Sequence, residues 1–543
     1  MFLNLIKDAT KSLEEFGDEK FIKESEHADL ATTIAFKIAK EKNLSPQKVA
    51  NEILERITPK GYIGKIESVN GYINLFANYE FLEDTIDVIL SDDNYGSLGM
   101  KGKILVEHTS ANPDGPLHIG HIRNSIIGDT LARIFRRAGF DVRTHYYIND
   151  MGRQMAITVL GVEKFGLSEK KPDHAIADAY ISANRLLEKE PELEKRIEEL
   201  MQKYEVLEEE TAKKFRSAIE KAMEGIKATM ERINVEHDEF VWESDYIRNG
   251  YVEKILKALD SKNLIKKTGA WIIELEGFEK EVVIRRENGT SLYITRDLAY
   301  HLWKSEKFER MINVWGADHK LYGAQLLKLL EILEIKKPEI VFFEFVSLPE
   351  GRMSTRKGKF ISADDLIEKV KEEAKKIIAN REFSAEEIEK VAEAVAIGAI
   401  RFDFLKVAPE KPMVFDMNKA LDFERQTASY IQYTYSRACS ILRKSDDELE
   451  FSPELCEKVE RDLVVMLSKL PFYVYRVVNE VRPNLFAEFM LGLASKFNEF
   501  YRDYPVLKAE DELKRHRIAI VSAVSKVLEI GLDLMGIQAI ERM

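Results

Sequence analysis

The chain has 543 residues, of which 45% are hydrophobic and 32% are charged, and its formal net charge at pH 7 is −13. This composition describes a soluble globular protein, and the length exceeds what one hydrophobic core supports, so about three or four domains are expected. Two cysteines, Cys439 and Cys456, are too few for a disulfide framework or a cysteine-bound zinc site, and no apolar run is long enough to span a membrane, so we expect a reducing, cytoplasmic location.

Residues 1–97 are predicted to form a small α+β module. Apolar residues recur with helical spacing in two stretches, at Leu30, Ile34 and Ile38 and again at Val49, Ile53 and Ile57. Asn70-Gly71 then separates two β-prone runs, 66–69 and 72–76, which is a strong signal for a β-hairpin. The residues alone support a small interaction module and no more specific assignment.

A strand, a tight turn and a helix are predicted between residues 103 and 139. Strand 103–108 is short and apolar, and Asn112-Pro113-Asp114-Gly115 supplies the turn. The helix carries apolar residues at roughly 3.6-residue spacing over 122–135, and Gly139 is expected to end it. This order is typical of the start of a nucleotide-binding fold.

Two histidines, His118 and His121, lie in the first turn of this predicted helix. Unpaired backbone N–H groups and the positive end of the helix dipole attract anions there. Both imidazoles can donate hydrogen bonds to oxygens that become more negative as a pyrophosphate leaves, and the missing side chain of Gly120 leaves room for an adenine ring. The tetrapeptide alone is equally typical of two surface histidines, and the strand–turn–helix context favours the nucleotide site.

Polar clusters follow the other predicted strands of this module. Strand 142–148 ends in Asn149-Asp150-Met151-Gly152, strand 311–315 ends in Gly316-Ala317-Asp318-His319, and 340–345 is a further strand. Because ligands in open α/β sheets bind beyond the carboxyl ends of the strands, these clusters are expected to line a site.

Two other segments lie between those strands. The Glu-rich stretch 188–210 carries apolar residues on one side and predicts a solvent-exposed amphipathic hairpin with no part in a site. Runs 282–286 and 291–295, separated by Asn288-Gly289, predict a β-hairpin, and Asp297 is expected to open the next helix.

A basic loop precedes a helical C-terminal part. Residues 351–360 include four basic side chains and no acid, so the overall negative charge does not exclude a polyanionic partner. Ser362 is predicted to cap a helix after this loop, and the loop's glycines allow it to close over a triphosphate. Residues 364–422 are predicted to be helical apart from an extended joint at 409–412, and the aromatic stripes beyond them are interpreted mainly as core.

His118-Ile119-Gly120-His121 resembles the signature of class I aminoacyl-tRNA synthetases. Ser110-Ala111-Asn112-Pro113 and Ile122-Arg123-Asn124-Ser125 resemble the form found in arginyl-tRNA synthetases, and the C-terminal residues 536–543 resemble the end of their helix bundle. The resemblance covers nearly the full chain. It implies a multidomain α/β fold with a Rossmann-like parallel sheet, an inserted domain, an N-terminal α+β domain and a C-terminal all-α anticodon-binding bundle. The implied boundaries are 1–97 for an N-terminal tRNA-binding domain, 98–360 for the catalytic domain with a helical insertion at about 153–280, 361–422 for a helical connecting region and 423–543 for the anticodon-binding domain.

The resemblance also implies roles for single residues. ATP is expected to contact His118, Gly120, His121, Asp318, His319, Met353 and Ser354, with His118 and His121 catalytic. Arginine is expected to contact Ser110, Asn112, Glu243, Tyr293 and Asp297, and tRNA to contact Tyr501 and Met543. A guanidinium needs fixed carboxylates of matched geometry. Taken alone, Glu243 or Asp297 would be a helix cap or an ion-pair partner, and their joint placement with the histidine motif favours the substrate role.

Segment 351–358 stands in the place of the second class I signature and departs from the usual Lys-Met-Ser-Lys-Ser. Arg352 replaces the first lysine and Thr355 the second, so Arg356 and Lys357 are both candidates for neutralising the leaving phosphates, and all three cations are expected to be catalytic. A Walker phosphate loop is excluded, because the spacing to Gly358-Lys359 is wrong and no Ser or Thr follows.

The resemblance implies ATP-dependent attachment of arginine to its tRNA. ATP is expected to arrive with Mg²⁺ as a substrate complex, with no metal held by the protein alone. The implied partners are tRNA(Arg), L-arginine and ATP, the implied state is a cytoplasmic monomer without a membrane partner, and tRNA can be required even for the first step. Two alternatives are a nucleotidyltransferase with the H-x-G-H motif but no tRNA, which the long C-terminal module disfavours, and a catalytically silent tRNA-binding paralogue, which the intact motif residues disfavour.

Overall fold

The computed structural model describes residues 1–17, 19–349, 361–379, 383–424 and 426–543. It divides into two compact units. The first contains Met1–Leu98, Asp422–Glu480 and Leu485–Met543, and the second contains Gly99–Leu421 and Val481–Asn484. Among the described residues, no helix is both long and apolar enough to cross a membrane.

The N-terminal part of the first unit is a four-stranded antiparallel sheet with helices. Its elements are α1 (Phe2–Ser12), β1 (Ile22–Glu24), β2 (Leu30–Thr32), α2 (Ile34–Lys42), α3 (Pro46–Leu54), β3 (Ile63–Val69), β4 (Tyr72–Ala77) and α4 (Tyr79–Ser91). The strand order is β1-β2-β4-β3. Asn70 and Gly71 have φ angles of 52° and 87°, which confirms the predicted tight hairpin because such turns need left-handed residues.

The second unit begins with the predicted strand–turn–helix and continues into a helical insertion. Its first elements are β5 (Lys103–Glu107), α5 (Ile119–Ala138), β6 (Asp141–Ile148), α6 (Arg153–Phe165), α7 (Pro172–Lys189), α8 (Glu194–Glu205), α9 (Glu209–Arg232) and β7 (Glu239–Trp242). Gly139 ends α5 with a φ of 111°, as the sequence predicts. The range 153–280 assigned to the insertion is not all helical, because β7 pairs with β6 in the central sheet.

The rest of the second unit returns to the central sheet and ends in two long helices. Its elements are α10 (Asp245–Arg248), α11 (Tyr251–Ser261), β8 (Lys266–Thr268), β9 (Ala270–Ile273), β10 (Val282–Arg285), α12 (Tyr293–Lys307), β11 (Arg310–Gly316), α13 (Lys320–Ile332), β12 (Glu339–Phe343), β13 (Val346–Ser347), α14 (Ala363–Ile378), α15 (Ala385–Leu405), β14 (Met413–Val414) and α16 (Met417–Ala420). Ser362 caps α14 by accepting the N–H of Asp365 at 3.1 Å, as predicted.

The predicted hairpin of 282–286 with 291–295 is wrong in its second arm. β10 pairs with β9, and only an isolated bridge joins Arg285 to Ser291. Tyr293 already begins α12, so Asp297 lies in the second turn of that helix and does not open it. The β-propensity of 291–295 is overridden because this segment packs as the first turn of a buried helix.

The central sheet is parallel and has the strand order β12-β11-β5-β6-β7. The chain runs outward from β5 through β6 to β7 on one side, and from β11 to β12 on the other. The order therefore reverses between β5 and β11, and ligands of open α/β sheets bind at such a switch point, beyond the carboxyl ends of the strands. The residues after β5 and β11 are those of the histidine motif and of the Asp318-His319 pair.

The C-terminal helices belong to the first unit and pack against its N-terminal part. They are α17 (Ala428–Leu442), α18 (Lys458–Leu467), α19 (Leu470–Glu480), α20 (Asn484–Asp503) and α21 (Asp511–Leu534). Within the described residues, short 3-10 turns lie at Glu19–Phe21, Pro191–Leu193, Ala317–His319 and Pro453–Leu455. The Arg461 guanidinium donates to both oxygens of Asp29, and the Tyr95 hydroxyl donates to the Leu467 carbonyl at 2.9 Å. Residues more than 370 positions apart in sequence therefore build one core.

Candidate active site

The two histidines of the H-x-G-H motif form the N-terminal cap of α5. His118 Nδ1 accepts the backbone N–H groups of Gly120 and His121 at 3.1 and 3.3 Å, and His121 Nδ1 accepts the N–H of His118 at 3.3 Å. The rings stack with centroids 3.5 Å apart. Because each Nδ1 is an acceptor in these bonds, each neutral ring carries its proton on Nε2 and offers an Nε2–H donor.

Burial keeps both rings uncharged. It lowers the pKa of His118, and it lowers the pKa of His121 well below the usual value, with the neighbouring His118 adding to the effect. At neutral pH the pair therefore provides two hydrogen-bond donors without positive charge. This suits binding to phosphate oxygens whose negative charge grows during a reaction.

Gly120 is needed by the cap itself. A Cβ at this position would lie 2.9 Å from His118 Cε1, so a larger residue would push the His118 ring away from the N–H groups that it accepts. The adenine-binding role expected for Gly120 stays a prediction.

The turn after β5 is strained and is held by the helix that follows it. Thr109 and Ser110 have φ angles of 68° and 38°, which side-chain-bearing residues adopt at a cost of about 1–3 kcal/mol each. Asn124 Oδ1 accepts the Thr109 N–H at 2.6 Å, and Asn124 Nδ2 donates to the Val314 carbonyl at 2.8 Å. Asn124 thus joins the carboxyl end of β5 to that of β11, across the switch point.

Ser110 and Asn112 lie on this turn, above the end of β6. Ser110 Oγ accepts the N–H of Tyr147 at 3.1 Å, and Asn112 Nδ2 donates to Gln154 Oε1 at 2.9 Å. The Tyr146 hydroxyl donates to the carbonyl of Ala111 at 2.8 Å. The turn is therefore fixed to β6 on one side and to α5 on the other.

The two acidic residues assigned to arginine, Glu243 and Asp297, come from different elements. Glu243 follows β7, is 2% exposed, and its Oε1 accepts Nε–H of Arg296 at 2.7 Å. Asp297 accepts the hydroxyl of Tyr322 and lies 3.3 Å from Nδ1 of His301. Because Arg296 and Asp297 are consecutive on α12, this ion pair brings both carboxylates to the same region.

The two carboxyl groups differ in pKa. Burial raises the pKa of Glu243 to about 7, although the Arg296 guanidinium opposes the rise. Burial acts in the same direction on Asp297, but His301 and the Tyr322 hydroxyl outweigh it and hold the pKa below its usual value. Asp297 is therefore a fixed anion at neutral pH, whereas Glu243 is close to its titration point.

Tyr293, Asp318 and His319 are the more exposed of the predicted site residues. The Tyr293 side chain is 57% exposed, and its ring lies 5.0 Å from that of Tyr322. Asp318 and His319 form the short turn after β11, with His319 Nε2 3.7 Å from Asp318 Oδ2. Their exposure leaves them accessible to a ligand at the carboxyl end of β11.

The last turn of α8, within the stretch 188–210, contacts residues next to Glu243 and Arg296, and the prediction that this stretch has no part in a site stays a prediction. Asp150 is fully buried and accepts the Ser244 N–H at 2.9 Å and the hydroxyl of Tyr204. Glu205 Oε1 accepts both the N–H and the hydroxyl of Ser291, at 2.8 and 2.6 Å. Tyr204 belongs to the apolar stripe seen in the sequence, but no local pattern marks Glu205.

The predicted loop residues Arg352, Met353, Ser354, Arg356 and Lys357 lie outside the described residues. The chain just after them lies beside the histidine motif. Ser362 forms an antiparallel bridge with His118, and the Ala363 N–H donates to the Leu117 carbonyl at 2.7 Å.

Asp173, His174 and Asp364 form a cluster with spacing that would suit a metal ion. Lys171 Nζ lies 3.2 Å from Asp173 and 2.8 Å from Asp364, so a protein ammonium already neutralises these carboxylates. We therefore interpret the cluster as an anchor of α14 on the insertion rather than as a metal site.

In the C-terminal bundle, Tyr501 is half-exposed and stacks on a cation. The Arg437 guanidinium lies 4.4 Å from the Tyr501 ring and 4.8 Å from the Tyr433 ring, and it also donates to Asn498. Met543 is partly exposed at the chain end. The sequence pointed to Tyr501 but not to its contact with Arg437, because Arg437 and Tyr433 lie on α17 and Tyr501 lies on α20.

Comparisons with known proteins cover the whole chain. Family models match residues 2–77 (arginyl tRNA synthetase N terminal domain), 85–417 (tRNA synthetases class I (R), catalytic domain) and 431–543 (DALR anticodon binding domain). The chain is 66% identical to the arginine–tRNA ligase of Archaeoglobus fulgidus, covering 100% of both chains, and 47% identical to that of Methanosarcina acetivorans, covering 96% and 94%. The solved arginyl-tRNA synthetase of Thermus thermophilus superimposes with a TM-score of 0.87 at 29% identity, covering 100% of both chains.

Proposed function

The chain belongs to the arginyl-tRNA synthetase family of class I aminoacyl-tRNA synthetases, and from this premise we propose how its own residues carry out the reaction. It is an enzyme with arginine–tRNA ligase activity, and its substrates are arginine, ATP and tRNA. Family models match from the N-terminal to the anticodon-binding part, which argues against a tRNA-free nucleotidyltransferase.

The first step joins arginine to AMP. A carboxylate oxygen of arginine attacks the α-phosphorus, the bond from that phosphorus to the bridging oxygen breaks, and pyrophosphate leaves. His118 and His121 donate their Nε2–H groups to phosphate oxygens during this displacement. The stacked, buried rings support this role, because preorganised neutral donors stabilise developing charge without any reorganisation.

Arginine is held by its charge. Asp297 and Glu243 receive the guanidinium, Tyr293 covers it, and Ser110 and Asn112 bind the amino and carboxylate groups. Support comes from the burial of Glu243, from the low exposure of the Asp297 side chain next to Arg296 on α12, and from the way the strained turn fixes Ser110 at the end of β6. A permanently charged substrate requires such fixed counter-charges.

ATP and the loop complete the first step. Asp318 and His319, at the end of β11, together with Gly120, Met353 and Ser354 bind the nucleotide, and Arg352, Arg356 and Lys357 neutralise the triphosphate. Mg²⁺ enters with ATP, because this ion keeps most of its ligands from phosphate and water.

In the second step a hydroxyl of the terminal adenosine of tRNA attacks the arginyl carbonyl, and AMP leaves. No enzyme side chain becomes covalently attached, so positioning and charge stabilisation supply the rate. Tyr501, stacked on Arg437, and Met543 contact the anticodon. The enzyme acts as a cytoplasmic monomer.

The observation that carries this proposal is the neutral histidine cap at the switch point of the sheet. Pyrophosphate exchange with each amino acid, with and without tRNA, tests it. Exchange that requires arginine, and that tRNA stimulates, is expected. Exchange with another amino acid in the absence of tRNA would contradict the proposal.

A further inference from the structure

A buried chain of polar contacts runs from the insertion to Glu243. Arg296 is 5% exposed, and its Nε–H donates to Glu243 Oε1 at 2.7 Å. A second guanidinium nitrogen, Nη1, donates to the carbonyl of Ser291 and, at 3.1 Å, to the Ser291 hydroxyl. Ser291 in turn donates its N–H and hydroxyl to Glu205 Oε1. The guanidinium is therefore fixed between two carboxylates by way of a single serine.

This chain occupies only one oxygen of Glu243. Among the described residues, no hydrogen bond reaches Oε2, while Oε1 is taken by Arg296. The bond to Oε1 restricts the rotation of the carboxylate and leaves Oε2 available to a second donor. An incoming guanidinium would then meet a preoriented acceptor, which lowers the entropic cost of binding.

We propose that Arg296 is a positioning residue for arginine recognition, which orients Glu243 and favours its ionised form before the substrate enters. The proposal rests on the substrate role proposed above for Glu243. It adds that the specificity of the pocket for a cation depends on a second arginine, one that belongs to the protein and does not touch the substrate.

The charges around Glu243 explain why a fixed cation is needed. Asp150 faces it from the turn after β6, and Asp297 faces it from α12; the hydroxyls of Tyr147 and Tyr322 lie close by. Arg296 is the cation that contacts Glu243, while Arg216 acts on Asp150, and His301 and Lys304 act on Asp297. Without Arg296, a buried Glu243 beside two other carboxyl groups would take up a proton, because desolvation and like charges both favour the neutral form.

A neutral Glu243 would accept a hydrogen bond but would not attract a cation. Losing Arg296 should therefore weaken arginine binding without affecting ATP. The loss should shrink as the pH rises, since a higher pH ionises Glu243 again while the substrate guanidinium stays charged.

The test compares Arg296→Met and Arg296→Lys with wild type and with Arg285→Met. Arg285 is a matched control: its backbone bridges Ser291, but its side chain stacks 5.1 Å from the Trp271 ring and donates to the Gly289 carbonyl, with no hydrogen bond to Ser291 or Glu243 among the described residues. We would measure KM for arginine, KM for ATP and kcat with tRNA present, from pH 6.5 to 9, and follow thermal unfolding of each variant.

At pH 7, Arg296→Met should raise KM for arginine about tenfold or more, which corresponds to one pKa unit or more for Glu243, and the increase should fall towards pH 9. KM for ATP should stay within about twofold, and Arg296→Lys should recover part of the loss because it keeps the charge. Arg285→Met should behave as wild type. An equal change at all pH values, or a loss of kcat with unchanged KM for arginine, would overturn the proposal.

Glu243→Gln separates this inference from the function it rests on. If Glu243→Gln leaves KM for arginine unchanged, the proposed pocket and the inference both fail. If it raises KM while both Arg296 variants match wild type, only the inference fails. In the Glu243→Gln background, Arg296→Met should add little to KM, because both changes act through one carboxylate. Should Arg296→Met unfold, Arg296→Lys decides the matter: it keeps the charge but loses the planar contacts to Glu243 and Ser291, so it must still raise KM for arginine above wild type while KM for ATP stays unchanged.

Discussion

The histidine pair is built from four consecutive residues, whereas the carboxylate pocket is assembled from segments that are far apart in the chain. His118 and His121 need only the first turn of α5 to reach their geometry, since each accepts an N–H of the same turn. Glu243 depends on Arg296, Ser291 and Glu205 from three other places. The geometry of the phosphate-binding histidines thus depends on a short stretch of sequence, whereas the geometry of the arginine pocket depends on contacts between distant segments.

The most severe way to break the pocket is to remove Asp297. Asp297→Ala should weaken arginine binding by about 3 kcal/mol or more, because the substrate guanidinium would lack a buried counter-charge. This corresponds to more than about a hundredfold in Kd, which calorimetry or KM can measure. Asp297→Asn keeps the volume and should lose nearly as much, while KM for ATP should stay constant. Unchanged arginine affinity would mean that the pocket lies elsewhere.

Substitution in the histidine pair should change the rate of adenylate formation rather than the affinity for arginine. His121→Ala removes one donor to the phosphates and should slow adenylate formation about 100- to 1,000-fold, the usual loss for one preorganised donor. Single-turnover adenylation and tRNA binding by filter retention measure the two effects. The affinity for tRNA should not change, and a parallel loss of both would indicate misfolding instead.

The contribution of the insertion to stability, through the contact of Tyr204 with Asp150, can be tested by substitution. Tyr204→Phe removes a hydrogen bond from the fully buried Asp150 and should lower the free energy of unfolding by about 1–3 kcal/mol. Thermal unfolding measures this change. Tyr180→Phe on the neighbouring α7 is the control, because its hydroxyl makes no hydrogen bond to the described residues. Equal stability of the two variants would show that the insertion adds nothing through Tyr204.

The smallest expected effect is a difference in pH response. The ionised form of Glu243 binds arginine, and its pKa is raised to about 7 by burial, so KM for arginine should rise as the pH falls through 7. The rise should be at most about tenfold per pH unit. The histidine pair should titrate at lower pH than free histidine, because burial lowers both pKa values. A constant KM for arginine between pH 6 and 8 would contradict the assignment.

The same contrast explains which features could be predicted from the sequence. The β5–turn–α5 unit, the Asn70-Gly71 hairpin and the Ser362 cap depend on neighbours in sequence, and the structure has them where expected. The strand predicted at 291–295 is a helix start instead, since its burial against the sheet outweighs local β-propensity.

Arg296 and Glu205 could not have been recognised as members of the pocket. Each carries an ordinary charged side chain on a helix, and such residues are usually exposed. The burial of Arg296 and the contact of Glu205 with Ser291 follow from the packing of α8 near the start of α12, a long-range arrangement that single-sequence patterns do not contain.

The joint core of the first unit has a consequence for the order of synthesis. The ribosome makes residues 1–98 first, but Asp29 and Tyr95 find their partners in Arg461 and Leu467, which are translated much later. The surface around Asp29 and Tyr95 therefore stays exposed to solvent while more than 300 intervening residues, those of the second unit, are translated. The first unit can therefore be completed only late in translation. A ribosome that stalls before α18 leaves Asp29 and Tyr95 without the partners that α18 supplies.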